Sequence, residues 1–181
     1  RDIVFFGCVD FFNAIVTGIR AYNTSERLQL HYTRLMDYVK AGGNLLVQYN
    51  TNNRIGPVLA KMGPYPFTIS RDRVTDEKAA VNFLDAKHPA FNQPNSITSK
   101  DFEGWVQERG IYFASEPDPH YVSLLSMSDP DEKPLTGSLI VAPFGKGNFV
   151  YTGLAFFREL PAGVPGAYRL FANLMNLPRH N

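Results

Sequence analysis

One cysteine, Cys8, and four histidines, His31, His88, His120 and His180, are the residues from which a nucleophile, a general base or a soft metal site would have to be built. A catalytic thiol needs a nearby base and a sharp strand-to-helix turn to present it and lower its pKa. Cys8 stands in Phe5-Phe6-Gly7-Cys8-Val9-Asp10, ahead of Phe11, Phe12 and a further extended run. No helix N-terminus follows it, so it reads as an inert, buried thiol. None of the histidines belongs to a paired ligand motif. His31 falls within a helix on its solvent side, His88 lies in a Lys-His-Pro-Ala-Phe turn, and His180 is in a terminal tail expected to fray. His120 alone has carboxylates close by, Glu116 and Asp118, but Pro117 and Pro119 stiffen that loop and no second ligand cluster completes a metal site. A plain loop is the simpler reading. There is no Gly-x-Ser-x-Gly elbow and no Gly-rich phosphate loop, and Lys146 fits a hairpin tip. No cofactor and no catalytic residue are predicted.

The polar residues that could hold a ligand gather after two apolar runs. Arg20, Tyr22 and Asn23 follow the first; Asn50, Thr51, Asn52, Asn53 and Arg54 follow the second, with Gln48 reaching the same rim. In an open α/β sheet the ligand crevice lies beyond the carboxyl ends of parallel strands. Arg20, Tyr22, Asn23, Gln48, Asn50, Asn52 and Arg54 therefore form the candidate binding set. The second turn is expected to open a helix, whose free N–H groups, with Arg20 or Arg54, would suit a carboxylate or phosphate. Capping and loop solubility explain the same residues without a ligand. Asn23-Thr24-Ser25 matches a glycosylation acceptor but is also a helix cap. Trp105, beside Phe102, Glu108 and Arg109, offers a sugar-stacking face or a core plug, and its apolar neighbours favour the core.

These residues need a frame. Ala14 to Gly18 reads as a short buried strand. Asn23-Thr-Ser-Glu26 has the form of a capping box, and Leu28, Tyr32, Leu35, Met36 and Val39 recur at helical spacing up to Gly42-Gly43. Asn44 to Tyr49 is a second buried strand, and Ile55, Val58, Leu59 and Met62 mark another short helix. The segment between the two strands is long enough for a parallel crossover, which makes a βαβ unit. Ile3 to Phe6 lies too close to the first strand to be its parallel neighbour; it pairs antiparallel or is not a sheet strand. From Pro64 to Asp118 only Ala80 to Leu84 and Ile111 to Ala114 show any periodicity. Tyr121 to Met127 alternates, and Ser138 to Phe144 with Asn148 to Thr152 form a hairpin around Gly145-Lys146-Gly147. The sheet is thus mixed. Tyr168, Phe171, Leu174 and Met175 are the expected apolar face of a closing helix that Pro178 stops.

The totals set outer bounds. With 181 residues and 44% apolar content, the chain can bury a full core as one domain. Eighteen basic against seventeen acidic side chains leave a net charge of +1, too little to recruit nucleic acid by field alone. No run reaches the roughly eighteen apolar residues of a membrane helix, so no membrane span is expected. One cysteine allows no internal disulfide and fits either redox compartment. An opening arginine suggests a fragment of a larger protein.

Two stretches, Asn13-Ala-Ile-Val-Thr-Gly-Ile-Arg-Ala-Tyr-Asn-Thr24 and Tyr38-Val-Lys-Ala-Gly-Gly-Asn-Leu-Leu-Val-Gln-Tyr-Asn50, carry a family likeness. So do His88-Pro89, Asp101-Phe-Glu-Gly-Trp105, Tyr112-Phe-Ala-Ser115 and Gly145-Lys-Gly147 with Phe149-Val-Tyr-Thr-Gly153. Together they resemble the glutamine amidotransferase-like domain appended to bacterial PIG-L (LmbE-type) de-N-acetylases, with a looser similarity to ThuA-like proteins. The resemblance covers nearly the whole chain. It implies an α/β, flavodoxin-like layered fold of the class I glutamine amidotransferase-like type, with a mixed, mainly parallel sheet and without the catalytic cysteine elbow. It also implies a covalently linked zinc-dependent deacetylase acting on N-acetylated sugars, and a first strand and helix ahead of residue 13. The deacetylase metal motif, of Ala-His-Pro-Asp-Asp type, is absent from this sequence, so no catalytic residue carries over. The expected role is a non-catalytic accessory domain with a glycan as candidate ligand, soluble and compatible with export or a periplasmic setting in a bacterium. Two alternatives stay open: a hydrolase or transferase using Arg20, Asn23, Glu116 and His120, and a structural oligomerisation domain.

Overall fold

The computed structural model describes residues 3–8, 11–52, 58 and 61–181. Two apolar runs open the chain as β1 (Ile3–Cys8) and β2 (Phe11–Thr17), antiparallel and in register from Ile3 opposite Thr17. That is the first of the two arrangements the short spacing allowed. After β2 the expected single helix is three consecutive pieces, α1 (Ala21–Thr24), α2 (Arg27–Leu30) and α3 (Tyr32–Lys40). The capping box expected at Asn23–Glu26 does not form, because Asn23 lies inside α1 and turns its side chain across to the backbone of Thr51. His31, between α2 and α3, is exposed as expected. β3 (Asn44–Gln48) then lies parallel to β2, completing the βαβ unit. The helix expected over Ile55–Met62 falls largely outside the described residues.

The middle of the chain builds small paired pieces rather than long elements. β4 (Thr68–Ile69), β5 (Arg73–Val74) and β6 (Asn82–Phe83) are followed by β7 (Gly110–Ile111) and β8 (Ala114–Ser115). β4 pairs with β8 and β5 with β7, both antiparallel. The alternating run at Tyr121–Met127 is split: β9 (Val122–Ser123) joins the main sheet, whereas β10 (Leu125–Ser126) pairs with β6. Leu124 between them is fully buried. β11 (Leu139–Phe144) and β12 (Gly147–Thr152) form the expected hairpin, with Gly145 at φ +61 in its tip. α4 (Phe156–Glu159) and α5 (Pro165–Met175) close the chain.

The main sheet has the order β1-β2-β3-β12-β11-β9. β2, β3, β12 and β9 run one way and β1 and β11 the other, so the sheet is mixed, with a parallel centre. Alternate side chains face opposite layers, as the pleat requires. Ile15, Leu45, Val47, Phe149 and Tyr151 meet Leu35, Met36 and Val39 of α3. Val16, Leu46, Val141 and Val150 meet Leu170, Phe171 and Leu174 of α5. The outcome is an α/β layered fold with helices on both faces. On α5 the apolar stripe differs from expectation at Tyr168, which is 52% exposed, while Ala167 and Leu170 take the buried face. No helix among the described residues is long and apolar enough to cross a membrane.

Buried polar side chains fix what periodicity leaves unspecified. The Arg109 guanidinium donates from Nε and Nη2 to the Ala79 carbonyl (3.0 and 2.9 Å) and from Nη1 to that of Phe102. It lies over Phe102 and Trp105, and Trp105, 3% exposed, donates its indole N–H to Asp101 O at 3.0 Å. Trp105 is thus core. Asn173 on α5 donates to Ala90 O and Asn95 O and accepts from Asn95 N, tying the irregular segment to the helix. The tail is also held, since His180 N donates to Lys146 O and its ring meets Asn148 Oδ1 at 2.9 Å, where fraying was expected.

His88 caps the 3-10 turn Pro89–Phe91, its Nδ1 accepting from Ala90 N at 3.1 Å. Only an unprotonated Nδ1 can accept. Burial, with a smaller contribution from His180, lowers its pKa, while Asp85 acts the other way. A depressed histidine pKa gives stability that is complete above the ordinary imidazole value and is lost as pH falls below it, because the unfolded chain takes up the proton first. Denaturant titrations between about pH 7.5 and 5.5, a window set by the ordinary histidine pKa, will show stability falling toward acid. His88→Asn, which keeps a capping oxygen, will show a shallower fall; identical slopes would refute this role.

Candidate functional site

β3 and β12 are adjacent, parallel and paired from Asn44 opposite Asn148 to Gln48 opposite Thr152. Beyond their carboxyl ends the chain departs to opposite faces. After β3, Val58, Met62, Tyr65 and Phe67 pack on the α3 face; after β12, Phe156 and α5 pack on the other. In open α/β sheets such a divergence at the strand ends is where a ligand crevice is expected. The same rule directed attention to the residues after β2 and β3 in the sequence.

Most of the sequence-derived set is bonded into the frame of that crevice. Tyr22 is buried, and its backbone N–H donates to Asn50 Oδ1 at 2.8 Å. Asn50, fully buried, also donates Nδ2 to Gln48 O at 2.9 Å. Asn23 donates to Thr51 O at 2.7 Å and accepts from Thr51 N at 2.8 Å. Gln48 donates to Thr17 O at 3.3 Å. Asn52 is exposed and lines a separate cavity. Arg54 lies outside the described residues. Asn23, Asn50 and Gln48 thus act as cross-braces between the ends of β2 and β3.

Past the ends of β3 and β12 stand the exposed Arg20 and a group of aromatic residues, of which Tyr49 is buried and Tyr112 and Phe157 are half-buried. The Tyr49 ring centroid is 5.5 Å from Tyr112 and 5.2 Å from Phe157, the latter edge-on. Tyr112 is anchored where its carbonyl accepts from the buried Tyr151 hydroxyl at 2.7 Å. Arg158 stacks over Phe157 at 4.9 Å and pairs with Glu108 at 2.9 Å. Arg20 N donates to Tyr49 O at 2.8 Å, bringing the exposed Arg20 beside this group, where it has no ion pair among the described residues. Burial raises the Tyr49 pKa, with Arg20 opposing, so its phenol stays protonated near neutrality and can donate. Arg20 and Tyr112 hold φ of 59° and 57°, the left-handed region disfavoured for bulky side chains. Gln107, Glu116 and Asp131 hold the same region elsewhere among the described residues, so two of the five lie beside Tyr49.

The remaining candidates lie elsewhere. His120 Nδ1 sits 2.6 Å from Asp118 Oδ1, and its ring stacks on Tyr65 at 4.1 Å and 9°. Hydrogen bonds from His120 hold the Asp118 carboxyl below its usual pKa. Glu116 is exposed, and among the described residues no hydrogen bond or ion pair joins Arg20 or Asn23 to Glu116 or His120. Nor do any three His, Cys, Asp or Glu residues among those described form a group able to hold a metal. Cys8 closes β1, opposite Phe11 in an antiparallel pair rather than on a strand-to-helix elbow. Sequence reasoning missed Tyr49, Tyr112 and Phe157. Applying the strand-end rule to β12 would have found Phe157 and Arg158, a few residues beyond Thr152.

No family model and no curated protein matches the chain. Among solved structures it is similar to the cytoplasmic protein STM3548 from Salmonella typhimurium, at 15% identity and a TM-score of 0.55, over 94% of this chain and 73% of that one. It also aligns with a cold-adapted β-galactosidase from Rahnella sp. R3 at 17% identity and a TM-score of 0.47, over 93% of this chain but 23% of the enzyme. The first similarity shows a shared α/β fold.

Asn50→Ala leaves the buried N–H of Tyr22 without its acceptor, and an unpaired buried donor costs about 1–3 kcal/mol. Urea unfolding will show a loss of that size. An unchanged midpoint would mean the braces contribute nothing.

Proposed function

We propose that this chain is a non-catalytic binding domain that takes a sugar ring in the crevice beyond β3 and β12, as the accessory domain of a PIG-L-type de-N-acetylase. The observation that carries this reading is the cluster of Tyr49, Tyr112 and Phe157 beside Arg20 and the Glu108–Arg158 pair. A pyranose presents an apolar C–H face and a rim of hydroxyls. Aromatic rings match the first, and a guanidinium, a phenol and a carboxylate match the second. The polar side chains nearest the sheet are braced to backbone, which supports a rigid recognition surface and leaves the half-buried Tyr112 and Phe157 rings with the exposed Arg20 as the contact. The link to a de-N-acetylase rests on the sequence resemblance and makes N-acetylated sugars the first ligand class to try.

Isothermal titration of the purified chain with N-acetylglucosamine oligomers will give saturable heat. Tyr112→Gly and Arg20→Gly, each placing glycine at a left-handed backbone position, will weaken binding about ten-fold, equivalent to ~1.4 kcal/mol. Arg20→Gly will also raise stability by about 1 kcal/mol by relieving its backbone. No saturation at oligomer concentrations on the order of 10 mM would sink the reading, as would acetate release by the chain alone.

A further inference from the structure

A cavity of about 450 Å³ lies on the α3 face and shares none of its lining with the crevice residues Tyr49, Tyr112 and Phe157. Tyr32, Met62, Tyr65, Phe67 and Ile69 give it an aromatic and apolar wall, and Lys61 supplies a positive charge. Its volume lies within the range of small-molecule sites.

Its walls are fixed before any ligand arrives. The Tyr32 hydroxyl donates to Gly63 O at 3.1 Å, and the Tyr121 hydroxyl donates to Tyr65 O at 2.9 Å. Phe67 packs between Tyr121 and Tyr151, at 5.5 and 5.0 Å, and so rests on the main core. Tyr65 is clamped by His120, stacked on it and itself held by Asp118. Gly63 has no room for a larger residue, since a Cβ there would lie 2.4 Å from the Tyr121 hydroxyl. Tyr32, Tyr65, Tyr121, His120 and Gly63 therefore hold this wall in place where it rests on the core.

Lys61 is exposed, with its ammonium 6.0 Å from the Tyr32 ring centroid and no carboxylate paired with it among the described residues. An apolar ring cavity with one unpaired cation selects for a ring that carries one anion. We propose that this cavity is a second ligand site, independent of the crevice, that binds a small aromatic carboxylate: the ring lies against Tyr65 and Phe67, and the carboxylate meets Lys61. A neutral sugar fits poorly, because most of the wall offers nothing to its hydroxyls.

Phenylacetate and its neutral isostere phenylacetamide separate the ring from the charge. In amide-detected NMR titrations of the whole chain, phenylacetate will saturate shifts at Gly63, Tyr65 and Phe67. Phenylacetamide will bind about five-fold more weakly, the worth of one partly exposed ion pair. Lys61→Met alters an exposed side chain and leaves the fold intact; it will bring phenylacetate down to the affinity of the amide without changing the amide itself. No saturation by concentrations on the order of 10 mM, equal affinity for the two probes, or shifts centred on Tyr49 and Tyr112 would each overturn the proposal. None of these results bears on sugar binding at the crevice.

Discussion

β3 is the constraint on which the rest of the molecule depends. It is paired in parallel on both sides, to β2 and to β12, and Leu45, Leu46 and Val47 are fully buried between the two helical layers. A parallel strand cannot be reached from its neighbour by a tight turn, so each connection must cross a face of the sheet. The β2–β3 connection covers one face with α3, and the chain leaving β12 covers the other with α5. The divergence at the strand ends follows from this geometry, because the segments leaving β3 and β12 go to opposite layers. The register is pinned at the far end as well: Asn148 donates to Asn44 Oδ1 at 2.9 Å, and Asn44 donates to Leu177 O at 3.0 Å.

The parts of this frame legible in the sequence are those with strong periodicity. The strand at Ala14–Gly18, the strand at Asn44–Tyr49, the glycine-tipped hairpin and the closing helix all announce themselves by burial pattern and turn residues. The segment 64–118 does not, and the reason is physical. Its structure is written in single long-range contacts, such as Arg109 to Ala79 and Phe102, Asn173 to Ala90 and Asn95, and Glu159 to Val106, which have no local spacing to detect. The helix after β2 failed for a related reason. Asn23 has an equally good partner in the backbone of Thr51, twenty-eight residues away, and that bond overrides the local cap.

The candidate site shows the same division. The strand-end rule directs attention to the rim beyond β2 and β3, yet it cannot tell a side chain left free there from one that braces the rim. Asn23, Asn50 and Gln48 are polar for the sake of neighbouring backbone groups that would otherwise be buried without partners. Tyr49, Tyr112 and Phe157 read as ordinary core aromatics, because their assembly depends on β12 lying beside β3, a pairing between residues a hundred positions apart.

Bracing and strain at this rim belong to one arrangement. Arg20 and Tyr112 occupy left-handed backbone at a cost of roughly 1–3 kcal/mol each, and neither is the glycine that would relieve it. Such conformations persist only where the surroundings over-determine them. Arg20 is fixed by its N–H on Tyr49 O and by the Asn23–Thr51 and Tyr22–Asn50 bonds just beyond it. Tyr112 is fixed by the Tyr151 hydroxyl and by the pairing of Ile111 N with Gly153 O. The rigid polar layer therefore does more than fill hydrogen-bond valences. It holds Arg20 and the Tyr112 ring beside Tyr49 at the end of the sheet. Gln107, Glu116 and Asp131 take the same region elsewhere in the described chain, so what distinguishes Arg20 and Tyr112 is the set of bonds that brace them and not the strain itself.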